Sequence, residues 1–315
     1  MRLGHSYGNL VKITIKDSFL NTKIKIIIFS IIGIILGSGW ILSSVLMFPP
    51  KIRCTKEHFV YCGDPSEQKL VFENFKVTTE DALELSGWWI PAVNPRGIII
   101  MSHGHGGDRR EGMRYAQVLH NAGFSLVTFD YRGANPDESH FDSMDYFERR
   151  DLSKIIDFAS SKGPQKIGLL GFSQGSATGI ITMALDPRIE IGIFEGSYAN
   201  AADVIAFGAS SMFKIPRFPL VDLALWFFEA RTSADLNDMN PSSYISKIAP
   251  RPVMIFHATN DPIVPFTDAE KLLKSAPTIK TWFFQDNDHA KAWQFDTQLA
   301  ETLVVDFFST SIPKI

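Results

Sequence analysis

Between Lys166 and Ala177 the chain reads Lys-Ile-Gly-Leu-Leu-Gly-Phe-Ser-Gln-Gly-Ser-Ala. An apolar run with the length of a buried strand enters Gly-x-Ser-x-Gly and leaves through residues that suit a helix, the setting of a nucleophile elbow. A reversal this tight strains the backbone of the central serine. It leaves no room for a side chain two residues to either side, so glycine is required at 171 and 175. The turn lifts the Ser173 hydroxyl clear of the sheet edge and points the N–H of Gln174 at the same spot. Alone the five-residue pattern carries little weight: with glycine at about 7% of residues, a chain this long shows it on the order of one time in ten. Its weight comes from the strand before it and from partners elsewhere in the chain.

With 315 residues, 45% of them hydrophobic and 21% charged, the chain has the makeup of a globular protein with a large core. A net charge of −3 and an isoelectric point near 6.2 leave no basic footprint for nucleic acid. The N-terminus departs from this pattern. Residues 26–48 run for 23 positions without a charge, enough to cross a bilayer as one helix. A cleaved signal peptide has a shorter apolar region, about 7–15 residues, and a small-x-small cleavage site. Here Ser38 and Ser43-Ser44 make a poor one, so the run reads as an uncleaved signal anchor behind a basic tail over residues 1–25. Arg2, Lys12, Lys16, Lys23 and Lys25 precede the span against Asp17, and Lys51, Arg53 and Lys56 follow it. That balance favours a cytoplasmic tail and a domain on the outer side, periplasmic or at the cell surface. Cys54 and Cys62 lie just beyond the span. They are either a disulfide, which would fit an oxidising compartment, or two free thiols.

Residues 49–69, opening with Pro49-Pro50, read as a polar linker, and the globular domain is expected over 70–315. Residues 72–79 and 83–92 suit two strands joined in a hairpin. Apolar runs at 97–103, 124–130, 166–172, 189–194, 253–258 and 281–285 read as further strands. Helical spacing at 111–122, 146–161, after the elbow to about 185, and at 294–308 places helices between them. This alternation predicts an α/β fold with a mostly parallel sheet and helices on both faces. Residues 198–249 break the rhythm with one or two helices (about 201–213 and 220–230) rich in Phe, Leu and Trp226, and read as a small helical cap over the carboxyl edge of the sheet.

A serine hydroxyl needs an adjacent base, usually histidine, oriented by a carboxylate. Two histidines follow Ser173. His257 lies inside a strand and reads as a packed residue. His289 lies in the loop after the last strand and is the natural base; its neighbours Asp286 and Asp288 read as solvated. Asp261 ends the strand before it, where α/β folds place function, and is the natural acid. Glu195, at the end of the preceding strand, is the alternative. The oxyanion needs two preorganised N–H donors. Gln174 supplies one, and His105, in the glycine-rich loop His103-Gly104-His105-Gly106-Gly107, supplies the other. The side chains of His103 and His105 read as shaping that loop. No cofactor or metal is called for.

With these residues in view, the chain resembles the α/β-hydrolase superfamily over about residues 70–312. Its segments Thr79-Glu80-Asp81, Leu85-Ser86-Gly87-Trp88-Trp89-Ile90-Pro91, the His103–Gly107 loop, Phe129-Asp130-Tyr131-Arg132-Gly133, the elbow, Asn260-Asp261-Pro262-Ile263-Val264-Pro265 and His289-Ala290-Lys291-Ala292-Trp293 are similar to a membrane-anchored or secreted bacterial branch. That branch is related to the α/β-hydrolase-domain lipases of animals. The resemblance implies Ser173 as nucleophile, Asp261 as acid, His289 as base, and Gln174 and His105 as oxyanion donors. It gives Asp130 and Arg132 a bracing role. The family commonly follows that stretch with Gly-x-Ser, and residues 134–139 here differ. The implied activity is hydrolysis of small-molecule or lipid carboxylic esters. Peptidase or thioesterase action on the same three residues, and a membrane-tethered binding protein without activity, are the alternatives.

Overall fold

The computed structural model describes residues 7–134, 140–163 and 165–313, with side chains from residue 21 onward. Eight strands form one sheet: Glu73–Thr78 (β1), Glu84–Ile90 (β2), Gly97–Ser102 (β3), Phe124–Phe129 (β4), Ile167–Phe172 (β5), Ile189–Glu195 (β6), Val253–Ala258 (β7) and Lys280–Phe284 (β8). Their order is β1-β2-β4-β3-β5-β6-β7-β8. The opening hairpin pairs antiparallel with itself and with β4, and every later pairing is parallel. β3, β4, β5 and β7 are buried at every position, which explains their unbroken apolar sequences: both faces are covered by helices.

The helices are Tyr7–Met47 (α1), Met113–Asn121 (α2), Glu148–Ser161 (α3), Gln174–Leu185 (α4), Ala201–Phe213 (α5), Asp222–Thr232 (α6), Pro241–Tyr244 (α7), Phe266–Ser275 (α8), Ala292–Phe295 (α9) and Thr297–Ser311 (α10). The two-residue alternation of a strand sorts their partners. Ile98, Ile100, Ile167 and Leu169 join a cluster with Ile155, Ile156, Ile180 and Leu272 of α3, α4 and α8. Ile99, Met101, Leu170 and Phe172 face Met113, Leu119, Val304 and Phe308 of α2 and α10. The expected α/β class and parallel sheet are therefore observed. Sequence periodicity misses α8. It also merges α9 with α10: Asp296 separates them, its side chain accepting the Leu299 N–H at 3.0 Å and restarting the helix.

The expected cap is present as α5 to α7. A third cluster joins it to the carboxyl end of the sheet through Val204, Leu225, Phe228, Met239 and Tyr198, packed with Ala177 and Ile181 of α4 and with Val264. Met47, the last residue of α1, belongs to this cluster. The charge-free run expected over 26–48 is the end of a much longer helix. Its stretch Asn21–Met47, 27 residues, is long and apolar enough to cross a membrane. Of the tail expected over 1–25, residues 7–25 are helical and 1–6 lie outside the described residues. The altered stretch after Gly133 falls mostly on 135–139, also outside them.

The linker expected over 49–69 is instead folded onto the domain. Ile52 N–H donates to Gly106 O at 2.9 Å, Cys54 and Cys62 are disulfide-bonded, and Phe59 is fully buried. Asp64 caps a 3₁₀ turn over Pro65–Gln68, and Gln68 Nε2 donates to Met113 O at 2.9 Å. Single anchors spaced along an otherwise polar segment leave no periodic signal, so sequence patterning does not register them. If this segment is part of the core, Phe59→Ala lowers unfolding free energy by about 3–5 kcal/mol, whereas a linker residue would change it by less than about 0.5 kcal/mol. Urea denaturation of the two proteins separates these outcomes.

Candidate active site

The elbow forms because β5 ends directly against the start of α4. Ser173 sits between them at φ 53°, ψ −118°. A Cβ on Gly171 would lie 2.6 Å from Gly175 O, and one on Gly175 would lie 2.3 Å from Ser102 O and 2.5 Å from His103 O. Both contacts are with backbone, so neither position can carry a side chain. Ser173 N–H and Ser176 Oγ each donate to Glu195 O at 2.8 Å, pinning the turn to the end of β6.

Ser173, Asp261 and His289 are brought together. Ser173 Oγ lies 2.7 Å from His289 Nε2, and His289 Nδ1 lies 2.6 Å from Asp261 Oδ2. The other oxygen of the buried Asp261 carboxylate accepts the N–H groups of Ile263 and Val264 at 2.8 and 2.9 Å, which fixes its plane. Burial of the His289 ring pulls its pKa down. The hydrogen bond and charge of Asp261, with Glu111 and Glu195 farther off, outweigh this and leave it above the ordinary value. His289 N–H donates to Asp288 Oδ1 at 2.8 Å, so Asp288 shapes the loop rather than touching the ring.

Gln174 opens α4, so its N–H is one of the helix's uncommitted donors. His105 lies in a tight turn closed by Gly107 N–H to Gly104 O at 3.0 Å. It lines one cavity together with Ser173. Among the described residues neither the Gln174 nor the His105 N–H has an acceptor. His103 braces the loop: Nδ1 donates to Gly104 O at 2.8 Å, and Nε2 accepts Tyr131 N–H at 2.9 Å. His257 is a packed strand residue bonded to Val264 O at 3.0 Å. Glu195 does not reach the His289 ring. Its Oε1 accepts Ala292 N–H at 2.6 Å, and burial raises its pKa.

The profile of a family described as serine aminopeptidase, S33, matches residues 93–225. The uncharacterized protein YqkD of Bacillus subtilis is 20% identical over 298 residues, covering 90% of this chain and 96% of its own length. The lysophosphatidylserine lipase ABHD12 of Danio rerio is 28% identical over 201 residues, 58% of this chain and 48% of its own. Among solved structures, the esterase Pf2001 of Pyrococcus furiosus superposes with a TM-score of 0.68 at 20% identity, covering 85% of this chain and 98% of its own. The chain has the α/β-hydrolase fold.

Around this site stand two residues that sequence reasoning missed. Glu111 Oε2 accepts the Gly104 N–H at 2.7 Å, and its Oε1 accepts Arg114 Nη2 at 3.0 Å. Arg114 Nη1 in turn donates to Ala290 O at 2.9 Å. One buried ion pair thus ties the His103–Gly107 loop to the residue after His289. Nothing marks these two in the sequence beyond an i, i+3 charge pair at the start of α2, a pattern usual on solvated helices. Asp130 and Arg132 brace neighbouring loops. Asp130 Oδ2 accepts Arg109 Nη2 and Nε at 2.6 and 3.0 Å, and Arg132 donates a bidentate pair to the buried Asp151 at 2.7 and 2.8 Å.

Above Ser173 lies a cavity of about 240 Å³ between α1, α5 and α6, with Tyr198 and Val264 at its inner end. Apart from Ser173, His105 and Tyr198, its lining is apolar or glycine. Among the described residues, no group of three or more His, Cys, Asp or Glu side chains is placed to hold a metal ion. Removing one partner of the buried pair leaves an uncompensated charge. Arg114→Met is expected to lower stability by about 3–5 kcal/mol in denaturant titration, whereas Arg109→Met, which leaves Asp130 at the solvent-reached surface, costs less.

Proposed function

We propose that this protein is a membrane-anchored serine hydrolase that cleaves carboxylic esters with apolar acyl groups. The observation that carries the reading is the unbroken relay Asp261–His289–Ser173, with bonds of 2.6 and 2.7 Å. Ser173 Oγ attacks the ester carbonyl while His289 Nε2 takes its proton. The N–H groups of Gln174 and His105 receive the developing oxyanion. Protonated His289, stabilised by Asp261, then gives the proton to the departing alcohol. Water repeats the sequence on the acyl-enzyme and releases the acid.

The apolar cavity favours an acyl chain over a peptide. An aminopeptidase must hold a charged α-amine, and no carboxylate lines the space above Ser173. A solved esterase of similar fold and a lysophosphatidylserine lipase among the relatives agree with this choice. A serine at the elbow, where dehalogenases carry a carboxylate, argues against that chemistry. The anchor is the Asn21–Met47 segment. The Cys54–Cys62 disulfide and the lysines before the span favour an outward-facing domain.

The full-length protein in detergent is expected to hydrolyse p-nitrophenyl esters from acetate to palmitate. The kcat/KM should rise by up to about four-fold per methylene until the cavity is full. Ser173→Ala is expected to lower kcat at least about 10⁴-fold with the fold retained by circular dichroism. Turnover of thioesters but not esters would move the assignment to a thioesterase, and silence on both would favour a binding role.

His289 must be neutral to accept the serine proton, so activity is lost as pH falls through its pKa. With that pKa raised, the acid limb of kcat/KM should have its midpoint above 6.5. Asp261→Asn should move the midpoint down, by removing the partner that raises it, and lower kcat about 10⁴-fold. A pH–rate profile of each protein checks both.

A further inference from the structure

We infer that helix α1 forms one wall of the acyl-binding pocket, and that the substrate is a membrane-resident ester whose chain reaches Ser173 sideways from the leaflet, between α1 and α5. The inference rests on the esterase reading and on the membrane span.

Three side chains of α1, Leu42, Val45 and Leu46, face the same cavity as Ser173. Their i, i+3, i+4 spacing is one stripe of a helix. Opposite them stand Val204, Ile205, Ala209, Met212 and Phe213 of α5. The buried residues Tyr198, Val221 and Val264 lie at the inner end. Val45, Met212 and Phe213 also line the cavity, yet are 52%, 51% and 68% exposed. They are its outer rim, so the cavity opens where α1 meets the cap.

That opening lies at membrane depth. The charge-free part of α1, residues 26–47, is about 33 Å of helix against a hydrocarbon core of about 30 Å. Its last turns carry the marks of the headgroup zone. Trp40, a residue type favoured at that boundary, lies under the Arg231 guanidinium at 4.2 Å. It also meets Phe227 edge to face at 5.5 Å. Arg231 Nη1 bonds Ser43 and Ser44 Oγ at 2.6 and 2.8 Å. The cap continues this apolar surface with exposed Met212, Phe213, Phe218 and Trp226, the profile of an element seated about 5–10 Å into the headgroup–acyl boundary. The ester group of a bilayer amphiphile lies at that same boundary, with its chain pointing into the lipid. A chain sliding between α1 and α5 keeps its apolar surface out of water throughout.

The test uses the full-length enzyme in phosphatidylcholine vesicles with p-nitrophenyl acetate and p-nitrophenyl palmitate. Tryptophan at Leu42 or at the exposed rim position Val45 fills the channel. The palmitate-to-acetate ratio of kcat/KM should fall at least about ten-fold in each, equivalent to losing burial of two or more methylenes. Ile34→Trp, which adds the same bulk at an exposed position of α1 about two turns before the cavity, should leave the ratio within about two-fold of wild type. Palmitate ester held in the enzyme's own vesicles should be turned over at least about ten-fold faster than the same ester in added enzyme-free vesicles, because confinement to one membrane raises its effective concentration. An unchanged ratio in both Leu42→Trp and Val45→Trp, or equal rates from the two vesicle populations, overturns the route. A ratio that changes with protein density in the vesicle would assign the cap face to a second copy of the chain and also overturn it. Acetate hydrolysis surviving Ser173→Ala would instead remove the esterase reading itself, so the two failures are distinguishable.

Discussion

The site depends on one close approach of backbone to backbone. The first turn of α4 lies so near the end of β3 that a methyl group on Gly175 would sit 2.3 Å from Ser102 O. That contact places the N–H end of α4 beside the His103–Gly107 loop. It also holds Ser173 in a conformation that L-residues rarely adopt, at φ 53°. Such strain persists only where the surroundings over-determine it. Here β6 supplies the restraint, through a single carbonyl that accepts both Ser173 N–H and Ser176 Oγ.

The three loops that meet at the serine are held by buried polar anchors rather than by apolar packing alone. Asp261 is fixed by two backbone donors before it meets His289. Glu195 holds the backbone of Ala292. Glu111 and Arg114 connect the glycine-rich loop to Ala290. A loop fixed through charge-assisted bonds to its own backbone keeps its side chains in register without a rigid secondary element beneath it. The geometry between Ser173 and His289 is thus set by the fold itself.

Much of this was legible in the sequence. The unbroken apolar runs are strands because helices cover both faces of the sheet, and their order with intervening helices is enough to predict a parallel α/β fold. Ser173, Asp261 and His289 could be singled out because the chemistry restricts each to a few residue types at the carboxyl ends of strands. What stayed hidden has a common physical origin: it depends on contacts between segments far apart in sequence. Phe59 and Gln68 are isolated anchors in a polar stretch. Glu111 and Arg114 look like a surface pair until their burial is known. The contribution of Leu42, Val45 and Leu46 to the cavity could not be read from an apolar run whose composition a membrane span would by itself explain.

The bond between Arg231 and Ser43 spans 188 residues of chain. Synthesis proceeds from α1 towards α10 at about 5–20 residues per second, so the end of α1 waits roughly 10–40 seconds for the cap residue that will cover it. His289 follows later still, 116 residues after Ser173. A growing chain therefore holds α1, its sheet centre and its strained serine well before it holds His289. A chain truncated anywhere before residue 289 lacks the Asp261–His289–Ser173 relay.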